Sequence, residues 1–338
     1  MNTFHNKLWP EFVYLYFVMR LILLSFLLAV CFVSCKKDDP LSYSGLPGHI
    51  DFPECYDKKI PKKPDYPTGW DITGKGLIYR YPCFNPNNSD EFIYCISQFG
   101  ATELISYNRV TGKKTILLQD NILSPPFWGA NGWIIMNIGA TVWKIKENGD
   151  SLTQLTFTEA QYYPNWNFDY SKYITHNNKG GIIHDFNTGA IELFQYNFPS
   201  GATWLNKNNF LVFFQRPGEF RKFYGGYTVI NMSSKTHIYY VVKEKYAEGS
   251  GGIWFNEDIF LFNSQHLLCT FDIRTSEIRE IGKTCDNEFL TLGSFAPSTN
   301  EVIYEVSHYN YVCNNELEVT MRFVILNLID GSVEDLTP

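Results

Sequence analysis

Tyr163-Pro164-Asn165-Trp166-Asn167-Phe168-Asp169-Tyr170-Ser171-Lys172-Tyr173-Ile174 is the segment on which the fold reading turns. A large aromatic, Trp166, is followed by a polar turn, and the turn leads into a short apolar strand at Lys172–Thr175. Asn and Asp suit the turn because they cap it with a side-chain hydrogen bond or accept positive φ. Tyr and Ile suit the strand. The same succession recurs along the chain, at Phe84-Asn85-Pro86-Asn87-Asn88, Phe127-Trp128-Gly129-Ala130-Asn131, Trp204-Leu205-Asn206-Lys207-Asn208, Trp254-Phe255-Asn256-Glu257-Asp258 and Phe295-Ala296-Pro297-Ser298-Thr299. The opening aromatics are spaced by 43, 39, 38, 50 and 41 residues, a period that marks a repeat architecture.

Each turn leads to a strand: Phe92–Ile96, Trp133–Met136, Lys172–Thr175, Phe210–Phe214, Ile259–Phe262 and Val302–Val306. A second turn follows in each unit, at Asn108-x-x-Thr111-Gly112, Asn148-Gly149, Asp185-x-x-Thr188-Gly189, Asn231-x-x-Ser234, Asp272-x-x-Thr275 and Asn327-x-x-Asp330-Gly331. A last strand closes the unit: Thr115–Leu118, Leu152–Thr156, Ile191–Phe194, His237–Val241, Ile278–Ile281 and Val333–Leu336. Six such units predict an all-β fold over residues 76–338, a six-bladed β-propeller of four-stranded antiparallel blades. The competing fold, a pair of β-sandwiches, does not account for repeats in phase. Leu77–Tyr81 either opens the first blade or crosses to complete the sixth.

On the Tyr163–Ile174 segment, the chain resembles the TolB-type, WD40-like propellers, whose repeats carry Pro-x-Trp-Ser-Pro-Asp-Gly-x-x-Ile. Leu152-Thr153-Gln154-Leu155-Thr156 resembles that family's last strand, which ends in Leu-Thr. The Ser-Pro-Asp-Gly turn itself is absent, and the chain has no room for a separate N-terminal α/β domain of TolB, so binding to the Tol–Pal system does not follow from the resemblance. Fold alone does not assign function.

The N-terminus reads as an export signal. Residues 21–34 are apolar, follow Arg20, and are too few to span a bilayer, which takes about 20 residues. Phe32-Val33-Ser34-Cys35 resembles a lipobox, with Cys35 as the lipid attachment site; Phe32 stands where Leu is usual. Lys36-Lys37-Asp38-Asp39 resembles the tether of bacteroidete-type outer-membrane lipoproteins, and residue 36 is not the Asp that cues inner-membrane retention. Residues 1–34 are thus expected to be a signal peptide, with 1–18 upstream of a compact leader that begins at Met19-Arg20. The competing reading, a transmembrane anchor over 12–34, would bury Arg20 at a cost of several kcal/mol. Residues 35–75 hold the lipidated Cys and a Pro-rich tether, with room for part of it to be pinned to the domain. The expected location is the outer membrane, on its periplasmic or cell-surface face.

Composition narrows the function classes. The chain has 338 residues, 45% apolar and 17% aromatic, enough for a large core. Net charge is −7; without Lys7, Arg20 and Glu11 of the leader, 26 basic and 34 acidic side chains remain, or −8. Nucleic-acid binding relies on clustered Lys and Arg, so no nucleic-acid partner is expected. Cys55, Cys83, Cys95, Cys269, Cys285 and Cys313 remain after the leader and Cys35, an even set in an oxidising compartment that allows 15 pairings.

No phosphate loop, dinucleotide fingerprint or close metal-ligand spacing occurs, so no cofactor and no metal are expected. Gly249-Ser250-Gly251-Gly252 lacks the Gly-x-Ser-x-Gly spacing and reads as a loop. His176 and His184 flank one hairpin and read as polar strand residues, and Trp133, Trp143 and Trp254 as core. Two insertions between second and third strands stand out as candidate binding loops. Gln215–Gly226 carries Arg216, Phe220, Arg221 and Tyr224; Ser307–Asn315 carries His308, Tyr309 and Tyr311. Tyr and Arg are favoured at recognition surfaces, and long loops on rigid scaffolds commonly carry function. The expected function is therefore a lipid-anchored, non-catalytic module that binds an envelope protein, peptide or glycan. The alternative is a propeller enzyme acting on polysaccharide or another polymer in the central funnel, which requires His and carboxylates converging there.

Overall fold

In the computed structural model the described residues are 50–51, 78–98, 101–122, 124–157, 159–177, 180–194, 202–204, 210–215, 226–231, 234, 236–241, 249–256, 258–264, 266–285, 288–312 and 316–336. All lie within the compact unit spanning 46–338. A short strand, β1 (Ile50–Asp51), comes first. Sheet one then holds β2 (Ile78–Asn85), β3 (Asn88–Gln98), β4 (Ala101–Asn108) and β5 (Lys113–Asp120). Sheet two holds β6 (Phe127–Trp128), β7 (Trp133–Ile138), β8 (Thr141–Lys146) and β9 (Thr153–Gln154). Sheet three holds β10 (Tyr162–Trp166), β11 (Lys172–Asn177), β12 (Gly180–Asp185) and β13 (Ile191–Phe194). Sheet four holds β14 (Ala202–Trp204), β15 (Phe210–Gln215), β16 (Gly226–Asn231) and β17 (His237–Val241). Sheet five holds β18 (Gly249–Trp254), β19 (Ile259–Ser264), β20 (Leu267–Asp272) and β21 (Glu277–Lys283), and sheet six β22 (Glu288–Ala296), β23 (Glu301–Val312), β24 (Glu316–Asn327) and β25 (Val333–Leu336).

The fold is an all-β propeller of four-stranded antiparallel blades, each a meander of consecutive strands. Contacts between sheets concentrate on the first strands, and β2 touches β22, β23 and β24, so the first sheet meets the last. First strands therefore line the axis and last strands form the rim. Ile78–Asn85 is the first strand of sheet one, and sheet six has four strands of its own, so the Ile78–Tyr81 part of the predicted Leu77–Tyr81 strand opens sheet one and does not cross over; Leu77 lies outside the described residues. Every sheet contains four consecutive antiparallel strands, as expected, and sheet five gains one more at its edge. There β1 adds a fifth strand, parallel to the rim strand β21, with Ile50 opposite Gly282 and Asp51 opposite Lys283. A rim strand exposes a row of backbone donors and acceptors that such a segment satisfies.

The turns follow their sequence signatures. Asn108 Oδ1 accepts the Thr111 amide at 2.9 Å, Asp185 Oδ1 the Thr188 amide at 2.8 Å, and Asn231 Oδ1 the Ser234 amide at 2.9 Å. Gly112, Gly189 and Gly331 close their turns at positive φ, where Ser276 stands in the equivalent turn with φ 60°. The aromatic of each first strand sits opposite the second residue of the next strand's common core: Phe84 opposite Phe92, Trp166 opposite Tyr173, Trp204 opposite Leu211, Trp254 opposite Phe260. In sheet two that place belongs to Trp128, opposite Ile134, and not to its neighbour Phe127. The Gly249–Gly252 tract, expected as a loop, is itself in β18 and carries that strand's register shift between Ser250 and Gly252.

Side-chain alternation in each second strand decides which neighbour it packs against. Counting from Glu91, Trp133, Lys172, Ile259 and Glu301, odd positions face the following sheet and even positions the preceding one. Ile135 from sheet two thus joins Trp166 and Tyr173 of sheet three. Phe92 and Tyr94 of sheet one join Ile303, Phe323 and Ile325 of sheet six in one buried cluster. Each sheet buries its two faces only against its neighbours, which is why every unit carries its own large aromatics. Trp133 and Trp254 flank these clusters half-buried, and Trp143 is half-buried with its indole N–H on the Thr141 hydroxyl.

Candidate functional site

The pairing register places several features on one face, where first strands begin and where second strands turn into third strands. Tyr162 at the start of β10 lies opposite His176 near the end of β11, and Glu288 at the start of β22 lies opposite His308. Arg216, Phe220, Arg221 and Tyr224, the first set of predicted binding-loop residues, lie outside the described residues. The leader and Cys35 also lie outside them.

The second insertion is a hairpin arm. β23 continues without interruption to Val312, pairing with β24 down to Val312 opposite Glu316. β22 begins only at Glu288, so residues 309–312 form a two-stranded extension of about 13 Å beyond the blade. Tyr309 lies opposite Val319 and Tyr311 opposite Leu317, on strand positions where a loop was expected. His308 stands at the base of the arm, with Nδ1 3.8 Å from Glu288 Oε1. Glu288 is buried; it accepts Arg322 Nη2 at 2.9 Å on one oxygen and the Cys285 amide at 3.2 Å on the other. Arg322 Nη1 reaches Asp335 at 2.9 Å. The carboxylate is thus already balanced by a guanidinium. Cys285 is disulfide-bonded. Cys83 and Cys95 are buried thiols, and burial pushes them up to about 11 and about 12. A disulfide framework therefore does not include every cysteine.

On the same face, sheet three presents an exposed aromatic group. Tyr162 and Tyr163 are 38% and 49% exposed, with ring centroids 6.5 Å apart, and Phe157 in the preceding connection is 75% exposed. Tyr163 has φ 55°, a left-handed conformation costly for a bulky residue. Its amide donates to Asn137 Oδ1 at 2.8 Å, and Asn137 Nδ2 donates to the Gln161 carbonyl at 2.5 Å, so sheet two fixes the segment from behind.

Beneath the tyrosines lies a buried polar cluster. Gln161 Oε1 accepts Thr175 Oγ1 at 2.7 Å and sits 2.8 Å from His184 Nε2. An Nε2–H tautomer of His184 satisfies that contact. The His184 ring stacks on Tyr173 at 4.6 Å and 3°. His184 lies opposite Tyr173 in the ladder, on the face that carries Thr175, whereas His176 points to the other face. The two histidines do not face each other. Both are buried, and burial lowers each to about 4, so both are neutral at pH 7. Among the described residues, no three His, Cys, Asp or Glu side chains cluster so as to hold a metal ion. The tyrosine pair was not among the sequence candidates. Its signal was Tyr-Pro ahead of Trp166, at the same offset as Tyr81-Pro82 ahead of Phe84; at that offset Trp204 and Trp254 are preceded by Gly201 and Gly251, Trp128 by Pro125 and Phe295 by Leu292.

Comparison with solved structures agrees with this architecture. A structure described as TolB of Agrobacterium tumefaciens superposes with a TM-score of 0.57 at 14% identity, covering 71% of this chain and 90% of that one. An oligogalacturonate lyase in complex with manganese superposes at 0.50 and 11% identity, covering 78% and 79%. TolB of Acinetobacter baumannii gives 0.49 at 11%, and the chain spans only 58% of its length. The chain has the TolB-like β-propeller fold. At these identities the likeness concerns the fold alone. No protein-family model matches the sequence. No curated protein matches it.

Proposed function

We propose that the protein is a non-catalytic binding propeller of the bacterial envelope, anchored by lipid on Cys35, with six blades once the five-stranded sheet is counted as the fifth. Its partner is an envelope protein, peptide or glycan. One observation carries the reading: a strained, half-exposed Tyr163 is held beside Tyr162 on an axial strand. Backbone strain of about 1–3 kcal/mol persists where the surroundings enforce it, and such sites concentrate function. Exposed tyrosines supply large contact area at low entropic cost. The arm over β23 and β24, which carries Tyr309 and Tyr311, extends from the same face and is a further part of the recognition surface in this reading; Arg216, Phe220, Arg221 and Tyr224 complete the candidate set.

The test is capture of envelope partners by the detergent-solubilised lipoprotein, identified by mass spectrometry and repeated with the double variant Tyr162→Ala/Tyr163→Ala. The expected result is loss of the enriched partner, together with release of Cys35→Ser from the membrane fraction. Unchanged capture by a folded double variant removes this face from the account.

The alternative, an enzyme acting on a polymer in the funnel, has one foothold in the Glu288, His308 and Arg322 group. Depolymerisation of a polysaccharide by wild type and not by His308→Ala favours it.

A further inference from the structure

Adjacent residues of a regular strand point to opposite faces of the sheet, so their rings do not meet. Tyr162 and Tyr163 depart from that rule. The register of β10 against β11 shifts between Tyr162 and Asn165, and Tyr163 sits at φ 55°. The two ring centroids are consequently 6.5 Å apart, with the planes at 50°. Both residues remain exposed. Sheet two holds the backbone in this form: Asn137 accepts the Tyr163 amide, and the Ala140 carbonyl accepts the Gln161 amide at 3.0 Å. The strain does nothing for the core, since Trp166 makes the buried contacts of this strand. Its effect is to gather two tyrosines into one exposed platform.

Polar groups flank the platform. Asn177 follows His176, which lies opposite Tyr162, and donates Nδ2 to Glu159 Oε2 at 3.0 Å on the surface. An amide beside a carboxylate offers donors and acceptors together. The described residues of the two stretches, 156–157, 159–163 and 175–177, include one acid, Glu159, and no Lys or Arg. Such a surface suits a ligand with apolar C–H faces for the rings, hydroxyls for the amide and carboxylate, and no negative charge. A polyanion or an acidic peptide would meet a carboxylate and no cation. The anchor of an apolar peptide is favoured in a desolvated pocket, not on two rings beside a surface carboxylate.

We infer that this platform is a binding site for a neutral polysaccharide, with a sugar ring against Tyr162 and Tyr163 and its hydroxyls on Glu159 and Asn177. The inference rests on the reading of this face as a recognition surface, and it narrows the ligand to one class.

Native gel electrophoresis of the full chain in detergent, through soluble starch, xylan, galactomannan or mixed-linkage glucan and through alginate as the anionic control, tests it. The expected result is retardation by at least one neutral polysaccharide and none by alginate. Binding is expected to be at least about tenfold weaker in Tyr162→Ala and in Tyr163→Ala, and within about threefold of wild type in Tyr162→Phe/Tyr163→Phe, because the rings carry the contact. Glu159→Ala, an exposed change that leaves the fold alone, is expected to weaken it at least about threefold. No retardation by any neutral polysaccharide overturns the proposal, as does equal retardation by alginate or binding unchanged in folded tyrosine and Glu159 variants. Capture of an envelope protein that is lost in Tyr162→Ala/Tyr163→Ala, with no polysaccharide bound, removes the glycan and leaves the recognition surface standing. Capture and retardation both indifferent to these residues remove both.

Discussion

Two buried histidines that share a strand pair have opposite surroundings, and the difference follows from alternation along β11 and β12. His184 turns toward sheet two, where Gln161 and Thr175 satisfy its Nε2 and Tyr173 covers its ring. His176 sits on the other face, toward sheet four, at the position that Asn137 and Glu305 occupy elsewhere. Burial lowers both to about 4, below the ordinary histidine value. The unfolded chain therefore binds protons that the folded chain refuses. Stability from this source is complete above about pH 6.5 and falls as pH drops toward 4, by on the order of 1 kcal/mol per histidine at pH 5.5. Chemical denaturation at pH 7 and pH 5.5 checks it, with His184→Gln expected to flatten part of the loss. An unchanged slope contradicts the neutral, buried state. The sequence showed these residues as polar strand positions, which is where they lie. It could not show that they face apart, because that depends on which residue of β11 pairs with which of β12.

At the scale of elements, turn chemistry was the most legible feature. Asn108, Asp185, Asn231 and Asp272 each accept amides two or three residues on, as their spacing predicts. Ile191–Phe194, His237–Val241 and Val333–Leu336 have the bounds that the alternating pattern indicates. One turn departs from its siblings. Ser276 adopts φ 60° where Gly112, Gly189 and Gly331 stand in the other sheets. Ser276→Gly is expected to raise stability by about 1 kcal/mol, since a left-handed non-glycine residue costs about that much or more. Thermal unfolding reads the gain, and a lower midpoint contradicts the argument. The arm over β23 and β24 was read as a loop inserted between the second and third strands. Instead β23 and β24 pair without a break as far as Val312 opposite Glu316, which carries the insertion as strand. Tyr163 was legible only as part of a motif, since its positive φ arises from a bulge enforced by the neighbouring sheet.

The whole molecule closes without a strand shared between its ends. Sheets one and six each complete themselves, so the junction rests on side chains and on close backbone approach. Phe84, Phe92 and Tyr94 pack with Phe323 and Ile325 in one cluster. The Phe84 amide donates to Ser294 Oγ at 2.6 Å. Gly293 leaves no room for a side chain, since a Cβ there would stand 2.1 Å from the Pro82 carbonyl oxygen. On the opposite face Arg109 of sheet one meets Glu301 at 2.9 Å and Glu334 at 3.1 Å, both from sheet six, with Asp90 at 3.6 Å. The repeat predicted blades; it left the closure open, because closure is decided by contacts between residues about two hundred positions apart. The same distance makes it testable. A double-mutant cycle on Arg109 and Glu301, read by urea unfolding of Arg109→Met, Glu301→Gln and the double variant, measures their interaction directly. A closed ring predicts a favourable coupling of about 1 kcal/mol or more, because the pair is largely shielded from solvent and bidentate. Additive single effects, with no coupling, would contradict the closed ring.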